Sequence, residues 1–277
     1  MKYDCIAAFG CSFVEGAAIE NKEGEFIGPQ HRFSKIIADH YNLPEYNTAR
    51  SGFGNKNIIR TVYEFIQESK YKNPFIIIGT SGISRKSIFS NYQKEFYDHH
   101  IFDYTDNEEE DKERLKRRSK LFFGKEELYE KLGSWLELEQ KYFFNYEVEQ
   151  NELERNFSLL DGFIKSKKLD YIIFNSIYDD FKTIHKDLPF FNFNLLDSNV
   201  DIYSIDYGQN NNFKLKNCWY HHLRALHHEN ISKNFDDVSF RSNIPPYGRY
   251  FCYGHPSPDA HKDLANDLIK YIDENYS

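Results

Sequence analysis

Short apolar runs bounded by turn residues alternate, along most of the chain, with segments whose apolar residues recur every three or four positions. The short runs are typical of buried strands, and the wider spacing is typical of helices with one buried face. The predicted strands are Tyr3–Phe9, Tyr46–Ala49, Phe75–Gly79, Tyr171–Asn175 and Val200–Ile205. The predicted helices are Arg32–Tyr41, Asn57–Ser69, Ser158–Lys165 and Asp259–Tyr276. This alternation predicts an α/β fold with a mainly parallel sheet.

Residues 91–155 break the alternation. They contain a charged run over Glu108–Lys120, followed by apolar and aromatic residues spaced mostly three or four apart. That spacing predicts amphipathic helices, so we expect a helical insertion within a single domain over residues 1–277. The insertion is expected to cap the sheet or to make a partner contact, for which a homo-oligomer is one candidate. The simpler alternative is that its helices pack on the same core. Residues 207–249 are predicted to form a long loop over the carboxyl edge of the sheet.

The composition is that of a globular protein, with 40% hydrophobic and 28% charged residues. No apolar run is long enough for a membrane helix, and Asp4 stands where a signal peptide has its basic region. The cysteines at 5, 11, 218 and 252 form no Cys-x-x-Cys pair and are expected to be reduced thiols. We therefore expect a cytoplasmic protein with no membrane partner, from a bacterium or a virus.

The formal charge of −8 comes from 35 basic and 43 acidic residues. Nucleic acids are polyanions, so this balance predicts no nucleic-acid partner. The charged run of the insertion is interpreted as a solvated face. A histidine cluster at 221, 222, 227 and 228 lacks the spacing of three or four that helical metal ligands need, and we expect no metal site there.

Candidate chemistry begins where the first strand leads into Gly10-Cys11-Ser12-Phe13-Val14-Glu15-Gly16. A strand that ends at a glycine turn presents the next side chains at the carboxyl edge of a sheet, where α/β folds bind ligands. A serine nucleophile needs a base within hydrogen-bond reach and donors for the oxyanion that forms. Ser12 is a candidate nucleophile, and the alternative is that it caps a helix. Cys11 is a rival nucleophile, but its side chain should point away from that of Ser12.

Two further segments end predicted strands with small and polar residues. In the first, the N–H of Gly52 or Gly54 is a candidate oxyanion donor, and Asn55 or Asn57 offers a side-chain amide. In the second, Thr80, Ser81 and Arg85 are expected at the same edge as Ser12, where they are candidates for binding the substrate or the oxyanion. A glycine turn with an asparagine cap, and a plain exit from a strand, are the simpler alternatives.

A fourth segment, Gly254-His255-Pro256, precedes the last predicted helix. A residue before proline is held in an extended conformation, which suits a general base that must keep one orientation. His255 is therefore a candidate base, and the alternative is a loop histidine with no chemical task. His261 lies inside the following helix, where it is predicted to pack or cap.

In their order and positions, the four segments resemble the blocks of the SGNH/GDSL hydrolase family. The resemblance implies that Ser12 is the nucleophile, Gly52 or Gly54 the oxyanion glycine, and His255 the base. It also implies a three-layer α/β/α sandwich of flavodoxin-like type, and hydrolysis of a small-molecule or glycan ester without metal or cofactor. An O-acetylated carbohydrate is one candidate substrate.

The chain departs from the family pattern at three positions. Cys11 replaces the aspartate before the serine, Ser81 replaces an asparagine that donates to the oxyanion, and Cys252 replaces the acid three residues before the histidine. A neutral thiol does not stabilise an imidazolium as a carboxylate does. Either Ser12 and His255 act as a dyad, or a backbone carbonyl, Asp206 or Asp259 orients His255. The other hypotheses are acyl transfer to a sugar, and a catalytically weakened binding or assembly domain, for example in a viral particle.

Overall fold

The computed structural model describes residues 2–17, 19, 27–100, 108–177, 188–189, 191, 219, 222–223, 251–252 and 255–276. The predicted strand Val200–Ile205, Asp206 and almost all of the predicted loop over 207–249 lie outside these residues. The strands are β1 (Cys5–Phe9), β2 (Glu45–Asn47), β3 (Pro74–Thr80), β4 (Arg85–Ser90), β5 (Glu95–His100), β6 (Tyr171–Asn175), β7 (Phe251–Cys252) and β8 (His255–Pro256). The helices are α1 (Ser12–Glu15), α2 (Phe33–His40), α3 (Asn55–Glu68), α4 (Glu108–Phe123), α5 (Tyr129–Leu138), α6 (Tyr146–Ser166) and α7 (Pro258–Tyr276).

A parallel sheet lies at the centre of the fold, with strand order β2-β1-β3-β6. Its strands overlap four of the predicted ones, of which Tyr46–Ala49 is observed as Glu45–Asn47. The helices α2, α3 and α6 connect the strands in sequence. Such helical crossovers are what parallel neighbours require, because a hairpin cannot join them. The predicted α/β fold class is confirmed.

Helices cover both faces of the sheet, which gives three layers. Successive side chains of a strand point to opposite faces. On β1, Ile6 and Ala8 point into an apolar cluster with α2 and α7, whereas Ala7 and Phe9 point into a second cluster with α3 and α6. Because both faces of β1 are buried, its sequence is a continuous apolar run rather than an alternating one. Within the described residues, no helix has the length and apolar character to cross a membrane.

The insertion differs from the sequence prediction in its first part. Helix was expected over residues 91–155, but Glu95–His100 is a strand that pairs antiparallel with Arg85–Ser90. Phe89 and Phe96 face each other across this hairpin, with ring centroids 5.1 Å apart. Helices α4 and α5 follow and share a small apolar cluster with the hairpin, centred on Phe122, Leu132 and Leu136. The second half of the predicted insertion runs into α6, which packs on the sheet.

The turn from β1 into α1 lies in close contact with the end of β3. A Cβ atom at Gly10 would overlap the Val14 side chain and lie 2.9 Å from the carbonyl oxygen of Gly79. A Cβ atom at Gly79 would lie 2.9 Å from Cζ of Phe174 and would also overlap Val14. Only glycine at both positions lets Val14 pack against the strand ends, so these two glycines set the position of α1.

We expect Gly10→Ala to destabilise the protein by about 1–3 kcal/mol, the usual cost of overpacking a filled core. Gly162→Ala is the matched control, because a Cβ atom at this helical glycine meets no atom within 4 Å. The control should raise stability by about 0.5–1 kcal/mol, since alanine favours helix. Urea unfolding of both variants measures the difference, and equal stabilities would contradict the tight turn.

Candidate active site

Ser12 is the first residue of α1, directly after the glycine turn at the carboxyl end of β1. The helix is a single turn, and Gly16 ends it in the left-handed conformation, with φ of 76°. Ser12 is buried, with 5% of its surface exposed. Its N–H group donates to no acceptor among the described residues. The neighbouring Cys11 is fully buried in the cluster between the sheet and α2.

His255 lies next to the α1 turn. Strand β8 contacts α1, and the rings of His255 and Phe13 have centroids 5.8 Å apart. The backbone of His255 pairs antiparallel with that of Cys252, three residues earlier in the chain. Asp259 is exposed in the first turn of α7. The structure therefore brings the segments of Ser12 and His255 together, although 243 positions separate them in the sequence.

The loop between β2 and α3 carries the candidate oxyanion glycines. Of the five N–H groups at positions 50–54, four donate to acceptors within the described residues. The pairs are Arg50 with Gly10 O at 3.2 Å, Ser51 with the Glu15 carboxylate at 2.6 Å, Phe53 with Arg50 O at 3.1 Å, and Gly54 with the Asp98 carboxylate at 2.8 Å. The N–H of Gly52 donates to none of the described residues.

This pattern distinguishes the two glycines that the sequence left as alternatives. The N–H of Gly54 is already bonded, and a Cβ atom at Gly54 would lie 2.8 Å from the carbonyl oxygen of Arg85. Gly54 is thus needed for the close approach of the hairpin. Gly52 has φ of 88°, which favours glycine, and a Cβ atom there meets no atom within 4 Å. Of the two, Gly52 has the N–H group available to a ligand.

The other predicted side chains are mostly engaged within the fold. The Asn55 amide donates to Ser81 O at 2.6 Å and accepts from Ser81 N–H at 2.8 Å, which joins the second and third segments. The Thr80 hydroxyl donates to Asn175 Oδ1 at 2.9 Å. The Arg85 guanidinium donates to the carbonyl oxygen of Phe53. The hydroxyl of Ser81 is buried and has no partner among the described residues.

Two carboxylates that hold the Gly52 loop were not singled out from the sequence. Glu15 accepts from both the N–H and the hydroxyl of Ser51. Asp98, on strand β5 of the hairpin, accepts from the N–H of Gly54 in the loop. Glu15 belongs to the first motif, and its position one helical turn after Ser12 could have indicated from the sequence that it lies near the site. Asp98 is a single acid in a charge-rich insertion, and only the folded topology brings it to the loop.

His261 packs and caps as predicted. Its Nδ1 accepts a hydrogen bond from the N–H of Phe33, the first residue of α2, at 3.2 Å. The ring stacks on Phe33 and makes an edge contact with Trp219. Burial above all, together with the charges of Arg32 and His255, lowers the pKa of His261 to about 3. The imidazole is therefore neutral, with its proton on Nε2.

No group of three or more His, Cys, Asp and Glu residues in the described part of the chain is arranged to hold a metal ion. Of the predicted histidine cluster, only His222 is described, and burial lowers its pKa. The other histidines of that cluster lie outside the described residues.

Comparison with solved structures gives weak likenesses of fold, among them two esterases. A structure of a carbohydrate esterase, reported for divergent catalytic and non-catalytic binding functions of its active site, is 13% identical with a TM-score of 0.43. That likeness covers 99% of this chain and 69% of the other. The acetyl xylan esterase Est2A of the rumen bacterium Butyrivibrio proteoclasticus is 9% identical with a TM-score of 0.34, over 98% of this chain and 63% of its own. No family model and no curated protein matches the chain. Likenesses at this level assign no function to it.

The buried imidazole of His261 predicts a pH dependence of stability. Its pKa is about 3 in the folded state against 6.5 ordinarily, so between these values the unfolded chain binds the extra proton. The free energy of unfolding should therefore fall as pH drops below about 6.5, by up to about 1.4 kcal/mol per pH unit, until about pH 3. His261→Asn keeps an acceptor at the δ position but does not titrate, and should lack this contribution.

Urea unfolding between about pH 7 and about pH 4 measures the slope in both proteins. His40→Asn, at an exposed position of α2, is the matched control and should keep the slope of the unaltered protein. An unchanged slope in His261→Asn would show that this histidine is not buried in its neutral form.

Proposed function

We propose that the protein is a serine hydrolase that cleaves an ester through Ser12 and His255, with an O-acetylated carbohydrate as a candidate substrate. The observation that carries the proposal is the meeting of three elements at one edge of the sheet. These are the serine at the start of α1, the histidine strand packed against it, and the Gly52 loop tied to α1 through Glu15.

In the proposed reaction, the Ser12 oxygen attacks the acyl carbon while His255 takes the hydroxyl proton. The N–H groups of Ser12 and Gly52 donate to the oxyanion that forms. Both are available for this, since neither donates to a described residue. The carbon–oxygen bond to the alcohol then breaks, and His255 returns the proton to the leaving alcohol. Water, deprotonated by His255, hydrolyses the acyl-serine and restores the hydroxyl.

The burial of Ser12 limits the acyl group that this site accepts. Only 5% of the residue is exposed, and in this proposal such burial favours a short acyl chain over a long one. A small acyl group such as acetyl fits this expectation, which concerns the acyl part of the ester and not its alcohol part. We therefore expect activity to fall as the acyl chain is lengthened.

Cys252 stands three residues before His255, at the position where the SGNH/GDSL pattern has an acid. In this proposal, strand pairing with Cys252 fixes the backbone of His255, and contact with Phe13 restricts rotation of the ring. Neither contact neutralises an imidazolium as a carboxylate does. A backbone carbonyl, Asp206 and Asp259 are the candidates for orienting the ring. The choice between a carboxylate and a carbonyl affects the rate, because loss of the orienting carboxylate costs a serine protease about 10⁴-fold in kcat.

A binding or assembly domain is the second candidate function. Large apolar side chains on the insertion are exposed, among them Tyr142 at 64% and Phe143 at 76%. Exposed apolar surface of this kind is typical of protein–protein contact sites. In that case the Ser12 turn would be retained for its structure, and the insertion would join copies of the chain.

Hydrolysis of p-nitrophenyl acetate separates the two functions. Ser12→Ala and His255→Asn should each lower kcat at least about a thousandfold, because each removes a group that the covalent step needs. Ser166→Ala is the control, since Ser166 is exposed at the end of α6 and should leave the rate unchanged. Equal rates for the unaltered protein and Ser12→Ala, at every acyl length, would contradict the hydrolase and favour the binding domain.

A further inference from the structure

One peptide group of the Gly52 loop is held at both ends by the insertion hairpin. The carbonyl oxygen of Phe53 accepts from the Arg85 guanidinium at 3.2 Å, and the N–H of Gly54 donates to the Asp98 carboxylate at 2.8 Å. These two atoms belong to the same planar peptide unit. Opposite charges on neighbouring strands β4 and β5 therefore fix its orientation.

Asp98 is itself anchored from two sides. Its Oδ2 accepts from the Asn57 side-chain amide at 2.5 Å as well as from Gly54, and its Oδ1 accepts from the hydroxyl of Ser87. Ser87 lies opposite Asp98 in the hairpin, whereas Asn57 lies in the first turn of α3. A carboxylate at a helix N-terminus is also favoured by the helix dipole, and charge-assisted hydrogen bonds are stronger than neutral ones.

The hairpin and the loop touch through their main chains. A Cβ atom at Gly54 would lie 2.8 Å from the carbonyl oxygen of Arg85, so no side chain fits between them. On the other side of Gly52, Glu15 accepts from Ser51 at 2.6 and 2.7 Å. Gly52, which as a glycine has wide conformational freedom, thus lies between one anchor on the serine helix and one on the hairpin.

We propose that the β4–β5 hairpin is part of the active site, and that Asp98, together with Arg85, positions the N–H of Gly52 for the oxyanion. The inference rests on the proposed function. Asp98 is a positioning residue, because it contacts the loop rather than the substrate. Arg85, expected from the sequence to bind substrate, acts here on the peptide group of the loop.

The first test needs no enzymatic activity. Amide hydrogen exchange over residues 50–57 is compared between the unaltered protein, Asp98→Ala and Glu95→Ala. Glu95 is an exposed acid on the same strand with no hydrogen bond to the loop, so its variant should exchange like the unaltered protein. Asp98→Ala removes the acceptor of Gly54 and should speed exchange there by about tenfold or more. Asp98→Asn keeps one acceptor oxygen, so its exchange rate should lie between those of the unaltered protein and Asp98→Ala. This variant provides the test if Asp98→Ala does not fold.

The second test is kinetic. Asp98→Ala should lower kcat by about ten- to a hundredfold with KM within about twofold, which is less than the roughly 100- to 1000-fold cost of losing an oxyanion donor outright. Arg85→Ala should follow the same pattern if Arg85 holds the loop. If Arg85 binds substrate, its variant should instead raise KM.

The outcomes separate this inference from the proposed function. Faster exchange in Asp98→Ala, together with a loss confined to kcat, supports the inference. Unchanged exchange, or a change confined to KM, overturns it. If the unaltered protein hydrolyses no ester, the proposed function fails and so does the catalytic task given to Asp98, while the exchange result still decides whether Asp98 holds the loop.

Discussion

The contact between Gly10, Gly79 and Val14 determines the geometry of the candidate site. Because neither glycine has a Cβ atom, α1 packs directly against the carboxyl ends of β1 and β3. The same position brings Glu15 to Ser51 and Phe13 to His255. The serine turn, the Gly52 loop and the histidine strand therefore share one packing constraint, and the hairpin adds a second anchor for the loop.

The sheet and its helices could be predicted from the sequence because each has a clear period. The continuous apolar run at Cys5–Phe9 and the helical spacing in Asp259–Tyr276 leave little choice of structure. The choice between Gly52 and Gly54 could not be predicted, because either glycine allows a close approach of the backbone. What distinguishes them is a hydrogen bond from Gly54 to Asp98, which lies 44 residues further along the chain.

The hairpin escaped prediction for a related reason. Its second strand, Glu95–His100, carries charged residues and histidines where a half-buried strand usually shows alternating apolar positions. Its stability comes from cross-strand pairs such as Phe89 with Phe96, and from packing on α4 and α5. Such long-range contacts leave no local period in the sequence. Asp98 reaches the Gly52 loop only because the folded hairpin lies beside that loop, so its contact with Gly54 could not be predicted from the sequence.

The hydrogen bond from Phe33 to His261 spans 228 residues, and it joins the start of α2 to the helix that follows His255. The face of the sheet that carries α2 thus lacks its second helix, α7, until residue 261 has been synthesised. At ordinary rates of translation, that interval is on the order of 10 to 50 s. During this time, the apolar face of α2 has no partner from α7 and stays exposed on the nascent chain.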